Sequence, residues 1–566
     1  MRNHLTTLDI LVFLVYLVGV SAYGYYIYRS KKKTEQSTKD YFLAEGSLTW
    51  WAIGASMIAS NISAEQFIGM SGSGFKVGVA VAAYEWVAAI VLIIVAVFFM
   101  PVFLKEKIFT MPQFLEQRYN STLSLIMSIF WLFLYVLVNL TSILYLGALA
   151  LSNLVGGDSF HVIIILLALF ALLISIGGMK VVGYTDVVQV VVLVIGGLVT
   201  TYISLTLVST KFGLGGGALS GFNALISHAN DHFHMIFPKP TAATPQPDID
   251  KYLSLPGIAM YLAGQWIVNL NYWGCNQYIT QRALGADLHT ARTGILFAGI
   301  LKLMMPVIVM LPGIAAYVLY KNGSLQAEMS STGAFNSDNA YSAILTFLPN
   351  GLKGLSMAAL TAAIVASLAG KVNSISTIFT LDIYKRYLAP EATEQRQVWV
   401  GRLTILAAIV ISIGLTWKDL LGIGGEGGFQ FIQKYTGFIS PGILAIFLLG
   451  LFWKRTTATA AIVGVLAGFA MSVFFNNYAP TVLGPETVLY TAFPNGHGAY
   501  EIPFLICMGL SFAFTMALMV GISLAGPVVS AKAITLQPGL FRVSRQTLTL
   551  IVVTLLLITA LYTKFW

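Results

Sequence analysis

The sequence predicts an all-α polytopic membrane protein of about fourteen transmembrane helices, built around a five-plus-five inverted-repeat core with a discontinuous first helix in each repeat. Of the 566 residues, 57% are hydrophobic and only 10% are charged, whereas soluble domains average about 45–50% and 25%. The mean hydropathy is +0.80. Apolar residues are gathered in runs of about 17–25 residues, which is the length that crosses a bilayer. Polar clusters interrupt two of these runs, one in each half of the chain.

The apolar runs define the expected transmembrane helices and the expected division of the chain. They cover residues 8–28, 50–72, 76–104, 123–152, 160–178, 184–208, 254–281, 293–320, 352–384, 398–417, 430–452, 457–476, 502–526 and 546–563. The expected units are an extra N-terminal helix with a basic inner loop (1–49), a first five-helix repeat (50–208), an outer loop (209–253), a second, inverted repeat (254–417), and about four C-terminal helices, one of which contributes to the solute site (418–566).

Basic residues set the expected orientation in the membrane. Arg29 and three lysines follow the first run, and Arg282, Lys385 and Arg386 fall on the same side. Because cytoplasmic loops are enriched in Lys and Arg, we expect a multi-pass protein of the plasma (inner) membrane with both termini outside. Topology also explains the formal charge of +9, so the lipid bilayer is an expected partner and nucleic acid is not. The oligomeric state stays open.

The two polar breaks predict a solute carrier. The first contains Asn61, Ser63, Glu65 and Gln66, and the second covers residues 269–277. Unmatched polar groups cost several kcal/mol in hydrocarbon, so such clusters line a bundle interior or a water-filled path. Since five spans is an odd number, the second repeat starts from the opposite side and runs inverted, as in many secondary transporters.

No pattern in the sequence indicates an enzyme. Cys275 and Cys507 both lie in apolar runs and read as small buried hydrophobes. All seven histidines lie in loops or near the ends of runs, and no Ser-His-Asp or metal-helix motif occurs. We therefore expect no catalytic residues and no organic cofactor.

Charged residues inside the runs are few, and each is by default a functional hypothesis. They are Glu65, Glu85, Asp186, Lys302, Lys371 and Lys434. Glu85 and Lys302 are either a structural ion pair or part of a set of donors and acceptors for the hydroxyls of a neutral polyol. The amides of that set are Gln66, Asn269 and Gln433. The neighbouring aromatic residues, which fit either a sugar ring or a helix core, are Tyr84, Tyr272, Trp273 and Phe429.

The span 352–384 carries one helical stripe of small and polar residues. Its members are Ala363, Ala366, Ser367, Gly370, Lys371 and Ser374. The stripe suits close helix packing. It equally allows Ser367 to face the unwound carbonyls near Ala59 and Ile62, where oxygen ligands would hold a hard cation.

Four stretches resemble the solute:sodium symporter family, in its branch of bacterial sodium/galactose and mammalian sodium/glucose symporters. They are residues 60–74, 272–282, 373–384 and 435–455, and the similarity covers nearly the whole chain. The resemblance implies a secondary active transporter that imports a hexose, galactose or glucose, coupled to sodium by alternating access. Two alternatives stay open: a sodium-independent or proton-coupled sugar carrier, and a symporter of another polar solute such as inositol or sialic acid. A sugar sensor is disfavoured because no soluble signalling domain is visible.

The resemblance also implies roles for individual residues. Sugar-contacting positions fall on Gln66, Glu85, Asn269, Lys302 and Gln433, and on Ala88, which stands where the family has a serine and keeps only a backbone contact. The inner gate falls on Tyr272, with Trp273 beside it. The outer hydrophobic gate falls on Met70, Tyr84 and Phe429.

The implied sodium site departs from the family pattern. Ala59, Ile62 and Ala363 match positions that give backbone carbonyls, and Asp186 matches an acidic residue near the sodium exit path. Ser367 matches one of two hydroxyl ligands, whereas Ala366 replaces the other. Lys371 stands where relatives tend to be apolar. We hypothesise that its ammonium, paired with Asp186, occupies or competes with the sodium charge; otherwise it lines the inner vestibule and sodium still binds.

Overall fold

The structure, a computed structural model, is almost entirely helical, and it describes residues 5–30, 38–43, 48–156, 159–330, 335–423 and 428–566. Two short apolar helices, Phe160–Ser175 and Ser440–Phe452, accompany the candidate membrane spans. Ten helices in the described residues are long and apolar enough to cross a membrane: Thr7–Ser30, Glu65–Lys105, Ser121–Val155, Met179–Lys211, Leu288–Lys321, Leu352–Leu388, Glu394–Thr416, Ala458–Asn477, Phe504–Leu524 and Arg545–Phe565. The chain is therefore a multi-pass helical membrane protein, as predicted, whereas the count of fourteen spans stays a prediction.

The α-helices are labelled in chain order. Up to residue 211 they are α1 (Thr7–Ser30), α2 (Thr38–Leu43), α3 (Trp50–Asn61), α4 (Ser71–Val77), α5 (Ala83–Ile94), α6 (Met100–Lys105), α7 (Met111–Arg118), α8 (Ser121–Phe133), α9 (Thr141–Val155), α10 (Phe160–Ser175) and α11 (Met179–Lys211). The connection that follows contains α12 (Ala218–His228) and α13 (Gln246–Ser254).

The second half of the chain follows the same convention. It contains α14 (Gly257–Leu262), α15 (Gln265–Cys275), α16 (Gln277–Leu284), α17 (Leu288–Val309), α18 (Leu311–Lys321), α19 (Gln326–Met329), α20 (Ala340–Leu345), α21 (Leu352–Thr377), α22 (Glu394–Thr416), α23 (Gly428–Gly437), α24 (Ser440–Phe452), α25 (Ala458–Asn477), α26 (Ala479–Leu483), α27 (Phe504–Leu524) and α28 (Arg545–Phe565). Strands β1 (Phe493–Pro494) and β2 (Tyr500–Glu501) form an antiparallel pair.

Wider and tighter helical turns continue several of these helices. The π-helical segments are Glu65–Met70, Val95–Phe99, Leu134–Leu140 and Ile378–Leu388, and the 3-10 segments are Gly78–Ala82, Asn230–His232 and Ser337–Asn339. Such wide turns occur mostly as single interruptions of α-helices and often at functional sites. The first of them follows directly on the first polar break.

The first polar break is confirmed, and local hydrogen bonds explain it. Helix α3 ends at Asn61 because Ile62 is extended, with φ −75° and ψ 111°. The Ser63 hydroxyl accepts a hydrogen bond from the Glu65 amide at 3.2 Å, and the Gln66 carbonyl oxygen accepts one from the Ser63 amide at 3.0 Å. These two side chains accept hydrogen bonds from backbone N–H groups that have no partner within the helix at its start, as in a capping box. The carbonyls at the end of α3 have no helical partners and are available for other groups.

The second break divides the expected span 254–281 into several helices. Asn276 is extended, with φ −89° and ψ 129°, and separates α15 from α16. The Tyr135 hydroxyl donates to the Asn276 side-chain oxygen at 3.0 Å, and the Thr280 hydroxyl donates to the Asn276 carbonyl at 2.9 Å. A further interruption at Ala263 separates α14 from α15. The second broken element is thus held open by bonds from a neighbouring helix and from its own next turn.

Helices α3 and α17 approach each other closely because glycines face each other. A Cβ atom added at Gly54 would lie 2.6 Å from the Gly294 carbonyl oxygen, and one added at Gly294 would lie 2.8 Å from the Trp50 carbonyl oxygen. Helix α21 packs against both α3 and α11. This packing places the middle of α17 and of α21 beside the first break.

The connection after α11 is seated on the turn at Gly78. Gly78 has φ +69°, and a Cβ atom there would lie 2.2 Å from the His232 carbonyl oxygen. The buried His232 ring stacks on Tyr317 with centroids 3.9 Å apart, and its Nε2 lies 3.0 Å from the Phe75 carbonyl oxygen. Burial lowers the pKa of His232, and the nearby Asp231 carboxylate opposes that shift. The connection therefore packs on the end of the first broken element through a neutral histidine.

Candidate solute and ion site

A polar cavity lies between the first break, α5, α15, α17 and α23. The centres of water molecules have about 70 Å³ of space there, which is room for several waters at about 10–15 Å³ each. It is lined by Asn61, Glu65, Gln66, Tyr84, Glu85, Ala88, Leu134, Tyr135, Asn139, Val268, Asn269, Tyr272, Trp273, Asn276, Tyr278, Lys302, Phe429, Ile432, Gln433 and Thr436. Every predicted solute-contacting residue is among them.

Glu85 and Lys302 form an ion pair inside this cavity. The Lys302 ammonium donates to the Glu85 carboxylate and to the Asn61 side-chain oxygen. Both residues are almost completely buried, and the ammonium lies 5.3 Å from the centroid of the Trp273 ring. A buried pair of this kind needs additional partners to offset its desolvation. The sequence left two alternatives for these residues, a structural ion pair or a set of solute contacts. The structure agrees with both, because the residues pair with each other and also line the cavity.

Amides complete the polar lining. The side-chain oxygen of Gln66 accepts hydrogen bonds from the backbone amide and the hydroxyl of Ser63. The Asn269 amide nitrogen donates to the Gln265 carbonyl at 2.9 Å, and this bond leaves its side-chain oxygen as an acceptor. Gln433 is half-buried. Together with the ion pair, these groups present both donors and acceptors to a solute.

Aromatic rings line the cavity at two places. The Tyr272 hydroxyl accepts a hydrogen bond from the Asn61 amide nitrogen at 2.9 Å, and the Tyr272 ring meets Trp273 edge-on with centroids 5.2 Å apart. Elsewhere in the lining, Tyr84 and Phe429 meet edge-on at 5.3 Å. Met70, predicted with that second pair, is fully buried but is not part of the lining.

Several lining residues were not predicted as site residues. Asn61 is central, since it joins Lys302 to Tyr272, and it belongs to the break that the sequence did reveal. Tyr135 and Asn139 are four residues apart in a largely apolar span, a spacing that places two polar groups on one helix face. That spacing is a signal from which they could have been found.

The predicted ion-binding residues come together around the end of α3. Ala59, Ile62, Ala363, Ala366 and Ser367 are all completely buried. The Ser367 hydroxyl donates to the Ser60 carbonyl at 3.0 Å, which joins α21 to the carbonyls left open by the first break. A hard cation prefers such oxygen ligands.

We call the predicted ion-binding residues Ala59, Ile62, Ala363, Ala366 and Ser367 the ion region. Lys371 lies beside it. Its ammonium donates to the Ser367 hydroxyl at 3.0 Å and lies 4.7 Å from the centroid of the Tyr278 ring. The expected pairing of Lys371 with Asp186 is wrong. Asp186 accepts a hydrogen bond from the Ser56 hydroxyl at 2.5 Å and lies 3.7 Å from a guanidinium nitrogen of Arg282.

Arg282 was expected among the cytoplasmic loop charges, but it is completely buried. Its guanidinium donates to the Ser56 hydroxyl at 2.7 Å, and also to the Ser60 hydroxyl and the Tyr278 carbonyl. The planar fork of arginine can reach a carboxylate and several oxygens at once, whereas an ammonium is a single point of charge. Arg282 therefore takes the carboxylate that the sequence assigned to Lys371.

The chain is similar to known proteins along its whole length. Residues 41–468 match the profile of the "Sodium:solute symporter family". The chain is 44% identical to the "Sodium/glucose cotransporter" of Vibrio parahaemolyticus, with 100% of this chain and 99% of that relative covered. It is 34% identical to the "Sodium/myo-inositol cotransporter 2" of Mus musculus, with 82% of this chain and 69% of that relative covered.

A solved structure shares the fold. It is a substrate-bound, outward-open sodium-coupled sialic acid symporter, with a TM-score of 0.75 and 21% sequence identity. The match covers 93% of this chain and 99% of that one. At this identity the similarity concerns the fold.

Proposed function

This chain belongs to the sodium:solute symporter family, and we propose that it is a secondary active transporter that imports a hexose, glucose or galactose, together with sodium. The observation that carries the proposal is the cavity, whose lining combines two carboxylates, one ammonium, six side-chain amides and several aromatic rings. A sugar has hydroxyls that donate and accept hydrogen bonds and apolar ring faces, so it needs this mixture. Similarity over the full chain to a protein named sodium/glucose cotransporter points to the same solute.

We assign the sugar contacts to the side chains that line the cavity. They are Gln66, Glu85, Asn269, Lys302 and Gln433, with the backbone at Ala88. A neutral sugar would enter between the members of the ion pair and the amides, each of which keeps at least one unshared donor or acceptor. The pair neutralises its own charge, which suits an uncharged solute better than a sugar acid.

The aromatic residues are proposed as the gates. Tyr272, steadied by Asn61 and Trp273, would close the cavity toward the cytoplasm. Tyr84 and Phe429, together with the buried Met70, would close it toward the outside. Alternating access then needs only one of the two gates to open at a time.

Sodium would bind at the end of α3. Carbonyls of Ala59, Ile62 and Ala363 and the hydroxyl of Ser367 are the proposed ligands, Ala366 supplies no side-chain ligand, and Asp186 lies on the proposed exit path. The inward movement of one positive charge through 100 mV supplies about 2.3 kcal/mol. That energy can drive sugar accumulation if sodium and sugar cross together.

The architecture that we propose is the five-plus-five inverted repeat of residues 50–208 and 254–417, within fourteen transmembrane helices. Because residues 254–417 contain four of the apolar runs, the run 430–452 supplies the fifth helix of the second repeat. One helix then precedes the repeats and three follow, and both termini face outside the plasma (inner) membrane. The orientation follows from the positions of the basic loops. Labelling of single cysteines introduced at residues 3 and 566 in intact cells, with a membrane-impermeant maleimide, tests it; protection of both positions would contradict it.

Uptake into proteoliposomes tests the proposed function. Purified full-length protein is reconstituted, and uptake of labelled glucose, galactose, myo-inositol and sialic acid is measured with an inward gradient of sodium or of choline. We expect glucose or galactose to accumulate above its outside concentration only with sodium. Counterflow without accumulation in either salt would contradict coupling.

Two rival functions are separated by the same assay. The myo-inositol relatives make inositol the second candidate solute, and competition between inositol and glucose decides between them. The buried Lys371 charge favours a sodium-independent or proton-coupled carrier as the second candidate mechanism. Sugar accumulation in choline that depends on a pH gradient would establish that mechanism instead.

A further inference from the structure

Lys371 places a positive charge against one of the oxygens proposed to bind sodium, the Ser367 hydroxyl. The residue is only 1% exposed. Its ammonium donates to the Ser367 hydroxyl, which in turn donates its single proton to the Ser60 carbonyl. The oxygen that sodium would use on α21 is therefore already the acceptor for an ammonium.

This ammonium cannot reach the aqueous boundary along its own helix. Lys371 lies fourteen residues before Lys385, the exposed lysine near the end of the same continuous helical element. At 1.5 Å per residue the separation is about 21 Å, which is much longer than a lysine side chain that reaches toward water. The charge is held inside the bundle.

No carboxylate compensates this charge directly. In the part of the chain that the structure describes, no ion pair within 4.0 Å involves Lys371, whereas Arg282 and Lys302 each have one. The closest stabilising groups are the Ser367 hydroxyl and the face of the Tyr278 ring. The Glu65 carboxylate attracts Lys371 from further away, and the Arg282 guanidinium repels it.

The surrounding packing keeps both cations near the end of α3. A Cβ atom added at Gly370 would lie 2.4 Å from an Arg282 guanidinium nitrogen and 2.7 Å from the Ser60 hydroxyl. Glycine at this position therefore gives the guanidinium its place. Because Asp186 is paired with Arg282, Lys371 is the cation near the end of α3 that has no carboxylate within 4.0 Å in the described part of the chain.

We infer that Lys371 is a tethered competitor of sodium, whose ammonium occupies the ion position until a sodium ion displaces it from Ser367. The inference rests on the proposed function, since it concerns the coupling ion of that same site. Displacement moves the ammonium away from the shared hydroxyl, so sodium binding must break the bond between Lys371 and Ser367 and work against the repulsion of a nearby like charge. Sodium then acts only at high concentration, and removal of the lysine charge increases sodium affinity.

The test measures sodium binding without sugar. Lys371→Met and Lys371→Gln are prepared as full-length purified proteins, with Lys385→Met as a matched control that removes an exposed lysine charge from the same helical element. Binding of radioactive sodium is followed by scintillation proximity. We expect half-saturating sodium to fall at least tenfold in every Lys371 variant that folds correctly and to stay within twofold of wild type in the control.

Each result has a defined meaning. Half-saturating sodium that is unchanged within threefold, or higher, in a correctly folded Lys371 variant overturns the inference, as does failure of wild type and of all variants to bind sodium. Two uncharged replacements are used so that poor folding of one leaves the other to be measured. Glucose counterflow of the same preparations reports separately on the proposed transport, since a protein that binds sodium but exchanges no hexose would contradict only the proposed function.

Discussion

Two lysines with equally buried side chains show how differently the two regions of the site treat a positive charge. Lys302, in the cavity, and Lys371, beside the ion region, are each 1% exposed. Lys302 is paired with the Glu85 carboxylate and the Asn61 amide. Lys371 is held by one hydroxyl and one aromatic ring. Lys302 therefore has a carboxylate partner inside the cavity, whereas Lys371 has none within 4.0 Å among the residues that the structure describes.

The presence or absence of a carboxylate partner for the buried lysine limits what each region can bind. A charge at the centre of a membrane helix costs roughly 2.5–3.5 kcal/mol on insertion scales, unless a partner or water compensates it. The Glu85–Lys302 pair can contact a neutral polar solute without a change of its own net charge. In the ion region an incoming cation must either displace the lysine or share its oxygens.

The largest expected effect comes from breaking the balanced pair. Glu85→Ala leaves the Lys302 charge buried without a carboxylate, and loss of one partner of a buried pair costs about 3–5 kcal/mol. We expect a marked fall in the thermal unfolding midpoint in detergent and loss of sugar counterflow. The double variant Glu85→Met with Lys302→Met should regain most of the stability but none of the transport. Recovery of transport in that double variant would show that the pair is structural alone.

Breaking the ion pair of the other region should cost somewhat less. Asp186→Asn leaves the Arg282 guanidinium without its carboxylate, but bonds to Ser56, Ser60 and the Tyr278 carbonyl remain. We expect a loss of about 3 kcal/mol, the lower end of the range for a broken buried pair. The measurement is the thermal unfolding midpoint, with Asp186→Asn combined with Arg282→Gln as the compensating control. Stability equal to wild type in the single variant would mean that Asp186 does not balance Arg282.

A smaller effect is expected at the contact between the cavity and the proposed inner gate. Tyr272→Phe removes the hydroxyl that accepts from the Asn61 amide nitrogen, and one such bond contributes about 1 kcal/mol. We expect faster sugar efflux from loaded proteoliposomes with little change in unfolding temperature. Tyr500→Phe, in the exposed strand β2, serves as the control. Efflux equal to that of wild type would remove the hydroxyl from the gate.

The smallest effect lies outside both regions and depends on pH. His232 is neutral and buried in the fold, so its folded pKa lies below the unfolded value of about 6.5. The unfolded chain then binds the proton more readily, and stability decreases as pH falls below 6.5 toward the folded pKa. Asp231 and Lys251 are the charges beside it. The unfolding temperature of wild type should fall more between pH 7.5 and 5.5 than that of His232→Phe; equal slopes would contradict this assignment.

Much of the site followed from the sequence because its signals are local. The resemblance to the family is confirmed, and ten of the eleven predicted solute-contacting and gate residues, all except Met70, line one cavity: Gln66, Tyr84, Glu85, Ala88, Asn269, Tyr272, Trp273, Lys302, Phe429 and Gln433. A polar residue inside an apolar run is visible without knowledge of its neighbours. Their roles in binding and gating stay predictions until transport is measured.

Partner choice, by contrast, was not a local property. Hydropathy and polarity are properties of each segment alone. They were enough to predict that helices cross the membrane, that two of the helices are interrupted, and that Glu85, Lys302 and Lys371 lie inside the helix bundle. The tertiary structure was needed to show that Asp186 forms its ion pair with Arg282 and not with Lys371, and that the Lys371 ammonium donates to the Ser367 hydroxyl. Those contacts depend on the distances and rotations at which α3, α16, α17 and α21 pack. Glycines such as Gly54 and Gly370 permit the close approach, but their presence in the sequence does not predict which side chains it brings together.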